Sequence, residues 1–285
     1  MKYRHSFHAG NFADVHKHVT LLAGIAGLQK KDKGFLYLET HAGRGAYDLS
    51  ESAAGRASRS GLTRLLHDPG EFPELIAYGA AVRHWRELLN DRNAYPGSPL
   101  LAAAALRGQD RAVLVEIQPP EAHALERAVA HRANVRVEIG DGYQKLRAHM
   151  PPAERRGLVL IDPPYEESSR DFGQARAAID DILRRFATAV IFLWYPIKDA
   201  RDSQPWRRRL LGALGQPALV SELWLHPCDS RVALNGSGLV IIHPPYQLAE
   251  RMRLWLPRLV DSLDAAGTGG CLVEETPDPR STMHG

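Results

Sequence analysis

Cysteine is almost missing from this 285-residue chain, with Cys228 and Cys271 the two present. Neither sits in a Cys-x-x-Cys pair, so they make neither a disulfide framework nor a zinc ribbon. Reduced, buried or incidental thiols suit a cytoplasmic protein. A long hydrophobic run is missing too. No stretch approaches the roughly 20 apolar residues that cross a bilayer, and the polar N-terminus carries no signal-peptide core. The expectation is a soluble, cytoplasmic protein with no membrane partner. A strong charge of one sign is also lacking. The formal net charge of +3 excludes a chain coated evenly in basic residues and leaves local patches as the contacts for a polyanion. One patch lies in residues 1–33, where Lys2, Arg4, Lys17, Lys30, Lys31 and Lys33 outnumber Asp14 and Asp32. Another groups Arg201, Arg207, Arg208 and Arg209 near Asp202.

What is present is a series of short apolar strands. Phe35–Leu38, Ala112–Ile117, Val135–Ile139, Leu158–Ile161, Ala189–Trp194, Leu219–Leu225 and Leu239–Ile242 alternate with helical stretches. That order predicts an α/β fold, Rossmann-like, with a mostly parallel sheet covered on both faces. Residues 1–46 and 96–265 form the main domain in this reading. Residues 47–95 break the strand-helix spacing. There Leu75, Tyr78, Val82, Trp85 and Leu89 recur at helical intervals, so a helical insertion is expected. After it, Ser98 reads as an N-cap and Pro99 as the first helical residue. Residues 266–285, rich in Gly, Thr, Glu and Pro, read as a fraying C-terminal tail.

The sharpest chemical signal is Asp162-Pro163-Pro164-Tyr165, directly after an apolar strand. An adenine N6 amine is a poor nucleophile because its lone pair is delocalised into the ring. Acceptors for its two hydrogens favour the pyramidal nitrogen of the transition state. The Asp162 carboxylate and the Pro163 carbonyl are two such acceptors, and the consecutive prolines aim the carbonyl. The Tyr165 ring is expected to offer a face to an extruded base. His243-Pro244-Pro245-Tyr246 follows an apolar run in the same way but lacks the carboxylate, and reads as a structural turn.

Three further signals sit at strand carboxyl ends, the edge at which open α/β sheets bind ligands. Glu39-Thr40-His41-Ala42-Gly43-Arg44-Gly45 follows the first strand, with His41 where a glycine is expected. Glu116 can take the hydroxyls of a ribose. In Gly140-Asp141-Gly142 the acid can meet the amino group of a cofactor adenine. The N-terminal histidines His5, His8, His16 and His18 lack the i,i+4 spacing of a helical zinc motif. No metal is expected, and His16 reads as a polar surface residue.

These residues resemble the bacterial large-subunit (23S) ribosomal RNA adenine-N6 methyltransferases, a class I S-adenosylmethionine-dependent family. The resemblance rests on Tyr3-Arg4-His5-Ser6-Phe7-His8-Ala9-Gly10-Asn11, Ala13-Asp14-Val15, Lys17-His18, Thr40-His41-Ala42-Gly43, Tyr95-Pro96-Gly97-Ser98-Pro99 and Asp162-Pro163-Pro164-Tyr165. It implies a seven-stranded sheet and a monomer acting on ribosomal RNA. It implies S-adenosylmethionine contacts at His18, His41, Ser98, Glu116, Asp141, Gly142 and Asp162. It also implies Lys17 on the cofactor-side helix and Tyr3 near the substrate adenine. Glu39 stands where the family has an Asp, and His243 and Tyr246 stand where it has Asn and Trp. Two other readings stay open: a DNA adenine-N6 methyltransferase and a non-catalytic RNA-binding module. A nucleotide-dependent oxidoreductase leaves Asp162-Pro163-Pro164-Tyr165 without a task.

Overall fold

The computed structural model describes residues 9–50, 55–165, 168–198, 200–227, 230 and 234–276. The chain begins with α1 (Phe12–Gln29), β1 (Leu36–Glu39) and β2 (Ala46–Asp48). Next come α2 (Gly55–His67), α3 (Pro73–Leu88), β3 (Ala94–Pro96) and α4 (Ser98–Ala105). The central part holds β4 (Arg111–Glu116), α5 (Pro119–Val129), β5 (Val135–Ile139), α6 (Gly142–His149) and β6 (Gly157–Ile161). Then follow α7 (Ser168–Arg185), β7 (Val190–Ile197), α8 (Ala200–Leu214), β8 (Ala218–Trp224), β9 (Gly236–Ile242), α9 (Leu248–Leu263) and β10 (Gly270–Thr276).

The main sheet has the order β10-β8-β9-β7-β6-β1-β4-β5. β5, β4, β1, β6 and β7 pair in parallel. β9 runs antiparallel between β7 and β8, and β10 runs antiparallel along β8. This is the class I methyltransferase arrangement with one additional edge strand. The strands are apolar on both faces, as a sheet covered by helices on two sides requires. Successive residues enter opposite layers: Tyr37, Leu114 and Leu160 join one core cluster, and Leu38, Val115 and Ile161 join the other.

The structure changes several expectations. The strand β10 lies inside the segment read as a fraying tail. Gly269 before it and Gly270 at its start mask the short apolar stretch Cys271–Val273, and pairing with β8 supplies the order that local propensity does not. The insertion is two helices, and β2 and β3 pair antiparallel as a clasp at its base. α3 buries Leu75, Tyr78, Val82 and Trp85, whereas Leu89 is its exposed C-cap. Gly97, with extended backbone, caps α4, and Ser98 is already helical. The Ser98 hydroxyl is engaged elsewhere.

α1 places the site. Asn11 caps it by accepting from the Asp14 backbone N–H, and the Asp14 carboxylate accepts from the Gly10 N–H. The two ends of the first turn are thus fastened in the manner of a capping box. The helix buries Asp14, His16, Lys17 and His18 along with its apolar residues. Burying so many polar groups is costly unless each is partnered, so these positions mark where packing alone does not explain the sequence.

Candidate active site

The parallel strands bring Glu39, Glu116, Gly140-Asp141-Gly142 and Asp162 to one edge of the sheet. Asp162 follows Ile161 and therefore points into the opposite layer, towards α1. There Lys17 donates to its Oδ2 at 2.5 Å and lies 2.9 Å from Asp14 Oδ1. The Asp162 side chain is 9% exposed and that of Lys17 is 4% exposed. Burial alone would lower the Lys17 pKa, but the two carboxylates outweigh it and hold the ammonium well above its ordinary range. The result is an Asp14–Lys17–Asp162 triad. A cation flanked by two anions fixes the direction of both carboxylates in a medium of low dielectric.

Glu39 lies next to this triad. Its two oxygens accept from Ser98 Oγ at 2.5 Å and from Tyr37 Oη at 2.7 Å. Burial pushes its carboxyl up to about 8, against the pull of those two hydrogen bonds and of Lys17. Ser98, expected at the cofactor, is thus directed at Glu39 in this structure.

The glycine loop is anchored across the edge. Gly43 N–H donates to Glu116 Oε2 at 2.8 Å, and Gln118 N–H donates to Oε1 at 2.8 Å. The carboxylate is held in one orientation by backbone. Asp141 caps α6 by accepting from the N–H groups of Tyr143 and Gln144. Gly142 passes so near the first loop that an added Cβ would stand 2.0 Å from the Thr40 carbonyl oxygen. Here glycine is needed for close approach. His41 bonds through Nδ1 to Thr40 Oγ1 at 2.7 Å, and its ring meets the edge of Tyr143 at 5.2 Å. Burial lowers its pKa to about 4, so the ring is neutral near pH 7.

Three expected residues sit differently from the sequence reading. Tyr165 is 1% exposed, its hydroxyl donates to the Trp194 carbonyl at 2.6 Å, and its ring packs on Phe172 at 4.7 Å. Its φ of +52° turns the chain after the two prolines and folds the ring inward, so it is not an open platform for a base. His18 is buried against the insertion, with Nδ1 at 2.9 Å from Tyr95 Oη, which also meets Tyr78 Oη at 3.0 Å. His16 is no surface histidine. It is wholly buried between Ser237 Oγ at 3.0 Å and Ser221 Oγ at 2.8 Å, and burial lowers its pKa to about 3.

Tyr3, His5 and His8 lie outside the described residues. Among the described residues, no three His, Cys, Asp or Glu side chains are placed to share a metal ion, and no helix is long and apolar enough to cross a membrane. The His243-Pro244-Pro245-Tyr246 turn follows antiparallel β9, so it hangs from the edge opposite Asp162. The Tyr246 ring is 79% exposed there, with the Lys30 ammonium 5.8 Å from its centroid.

The sequence reading missed Asp14, Trp194 and Ile117. Asp14 was visible as the i,i+3 partner of Lys17. Ile117 is 62% exposed directly after Glu116, an apolar surface at the ligand edge. Nothing local distinguished Trp194 from its apolar neighbours.

A family model described as ribosomal RNA large subunit methyltransferase D, RlmJ, matches residues 32–275. Ribosomal RNA large subunit methyltransferase J of Haemophilus influenzae is 39% identical over 277 residues, covering 96% of this chain and 98% of that protein. Its Escherichia coli namesake is 39% identical over 275 residues, with the same coverage. The crystal structure of protein LPL1258 from Legionella pneumophila superposes with a TM-score of 0.82 at 34% identity, covering 94% of this chain and 98% of that one. Matches of this identity over nearly the whole chain, with Asp162 on the carboxyl edge of a class I sheet, place the protein in the ribosomal RNA large subunit methyltransferase J family of enzymes.

Proposed function

We propose that the protein transfers a methyl group from S-adenosylmethionine to the N6 amine of an adenine in 23S ribosomal RNA. The observation that carries this reading is Asp162, part-buried at a strand's carboxyl end, gripped by Lys17 and followed by Pro163-Pro164-Tyr165. The co-substrate supplies a methyl group already activated on a sulfonium. What remains for the chain is to position the base, polarise its amine and remove a proton.

A carboxylate has about four lone-pair sites. The Lys17 bond on Oδ2 therefore leaves Asp162 able to accept from the amine. The Pro163 carbonyl takes the second N–H. As the nitrogen pyramidalises, both bonds strengthen, which lowers the barrier rather than merely binding the base. The methylated nitrogen must shed one proton, and Asp162 is the base beside it. Lys17 keeps that carboxylate aimed, and Asp14 keeps Lys17 in place.

Residues around the glycine loop fit the co-substrate. Glu116, oriented by Gly43 and Gln118, suits two ribose hydroxyls. Ile117 gives an apolar surface for its adenine, Asp141 an acceptor for the amino group, and the glycine contact at Gly142 brings the backbone close. His18, His41 and Ser98 shape the pocket from behind through Tyr95, Tyr143 and Glu39. Tyr3, ahead of α1, is the proposed contact to the target base. The basic N-terminal segment and the insertion are proposed to hold the RNA. For the insertion this rests on charge, since Arg64, Arg83 and Arg86 each donate to a backbone carbonyl, at Ser262, Leu66 and Ala94.

The test is methylation of ribosomal RNA from a strain lacking the enzyme, with the methyl position mapped by mass spectrometry. RNA and DNA of one sequence are compared in parallel. N6-methyladenine in RNA supports the reading. Methylation of the DNA alone would replace it with the DNA enzyme, and binding without transfer would replace it with an RNA-binding module.

A further inference from the structure

Trp194 touches more of the site than any step above requires. Its carbonyl accepts from Tyr165 Oη at 2.6 Å, and its ring meets the edge of Tyr165 with centroids 5.7 Å apart. The Lys17 ammonium lies 5.8 Å from the centre of the same indole. On its other side, Nε1–H donates to Ser237 Oγ at 2.9 Å. Ser237 in turn meets His16 Nδ1, and His16 Nε2 meets Ser221 Oγ.

The pairing explains this geometry. Trp194 stands opposite Leu239 in the β7–β9 ladder, and Ser237 opposite Pro196. Trp194 and Ser237 are therefore diagonal neighbours on one face, within reach of a long side chain. Ser221 also stands opposite Leu239, in the β8–β9 ladder. The same face thus carries two fully buried serines, Ser237 diagonal to Trp194 and Ser221 in its row. A tryptophan that only filled space would not need them. Indole N–H can only donate, so Ser237 Oγ accepts from it, and the Ser237 hydroxyl hydrogen has His16 Nδ1 at 3.0 Å and the Ala13 carbonyl at 3.5 Å within reach. Either tautomer of His16 bonds both serines. Burial keeps this imidazole neutral, so one ring nitrogen donates and the other accepts.

We infer that Trp194 is a positioning residue: pinned through Ser237 to His16, it seats the Lys17 ammonium that grips Asp162 and anchors Tyr165, which closes the Asp162-Pro163-Pro164 loop. The inference rests on the methyl-transfer reading above. His16 and Lys17 are consecutive on α1, one turned to the sheet and the other to the carboxylate. The anchor that fixes the helix register thus also fixes the cation. A displacement of about 1 Å at reacting groups can cost on the order of a hundredfold in rate.

The experiment uses Trp194→Phe and Ser237→Ala, with Ser237→Thr to restore the hydroxyl and Tyr165→Phe to cut the link from the loop side. Each protein is assayed for melting temperature, S-adenosylmethionine affinity by calorimetry, single-turnover rate and KM for ribosomal RNA. Hydrogen exchange across residues 160–172 is measured alongside. We expect the first two variants and Tyr165→Phe to lose ten- to a hundredfold in rate with KM and cofactor affinity within twofold. Amides after Pro164 should exchange about tenfold faster, and Ser237→Thr should recover most of the rate. Folded Trp194→Phe and Ser237→Ala proteins with wild-type rate and wild-type exchange overturn the inference, as does a loss confined to KM. Should Trp194→Phe fail to fold, Tyr165→Phe decides on the same readouts. If the wild-type protein transfers no methyl to RNA, the functional reading falls, and the exchange measurement alone decides whether Trp194 holds the loop.

Discussion

Lys17 and Asp162 are 145 positions apart and meet at 2.5 Å, with Asp14 completing the cluster from one turn earlier on α1. This contact alters what a substitution at Asp162 should do. From the sequence, Asp162 at a strand end implies no buried partner, and Asp162→Asn would leave stability untouched. The ion pair argues otherwise. Removing one charge of a buried pair costs about 3–5 kcal/mol when the other is stranded. Lys17 keeps Asp14, so a loss of about 1–3 kcal/mol is expected. The catalytic loss should be larger, on the order of a hundredfold, as for other groups aimed at developing charge. Single-turnover methylation with a denaturant curve on the same preparation checks both. A stable Asn variant at the wild-type rate removes Asp162 from the chemistry.

Glu116 has two functions that can be separated. Its carboxylate orients the glycine loop through Gly43 and is proposed to hold a ribose. Glu116→Ala should weaken S-adenosylmethionine binding by about 1.5–3 kcal/mol, the range for hydrogen bonds to a charged group. Glu116→Gln keeps one acceptor for Gly43 and should fall between. Calorimetric affinities equal to wild type in the folded Ala variant would move the ribose elsewhere.

Glu39 gives the stability a distinctive pH dependence. Its carboxyl titrates at about 8 in the folded protein, against an ordinary value of 4.5. Between those values the folded state holds a proton that the unfolded chain has released. The stability linked to this group is present at low pH and is lost as pH rises from about 4.5 to about 8. His16 and His41 act in the opposite direction on the acid side, with folded values of about 3 and about 4 against 6.5. They remove stability as pH falls through that range. Melting curves from about pH 5 to pH 9 should show the wild type losing ground to Glu39→Gln as pH rises, the gap levelling off above about 8. Parallel curves would mean that Glu39 is ionised throughout.

The arginines of the insertion should separate into structural and RNA-facing effects. Arg64 joins α2 to the carbonyl of Ser262 at the end of α9, and Arg86 joins α3 to β3. Arg64→Ala and Arg86→Ala should each lower stability by about 1–2 kcal/mol through lost charge-assisted bonds. Arg83 lies at the surface, and its replacement should cost less. If the insertion binds RNA by charge, the triple variant flattens the salt dependence of RNA affinity by roughly 0.7–0.9 per lost phosphate contact. An unchanged slope with a lower melting temperature would leave the insertion a purely structural role.

The sequence displays the parallel part of the sheet well, because buried strands read as unbroken apolar runs ending in Gly, Pro or Asp. Asp162 and Glu116 stand out because an acid at the end of such a run has no packing role. The rest depends on contacts between distant segments. His16 looks like a surface residue until Ser221 and Ser237, more than 200 positions away, supply partners for both nitrogens. Tyr165 looks like an exposed ring until its positive φ turns it onto Phe172. Ser98 reads as a cap, and the close approach of Glu39 gives its hydroxyl another use. In each case the partner that decides the residue's placement lay beyond the reach of local pattern.

The strand β10 also bears on how the molecule behaves in the presence of its own copies. β8 is mostly apolar, with Ser221 and Glu222 its polar members, and buried along nearly its whole length; without Gly270–Thr276 its outer row of N–H and C=O groups would be open. An open, flat, hydrophobic strand is a template for recruiting another chain. A truncation after Leu263 leaves every residue of the catalytic edge in place, yet it replaces a partly exposed edge strand bearing Glu274 and Glu275 with a buried one. Such a protein should survive as a catalyst only while dilute, and swap strands or precipitate as its concentration rises.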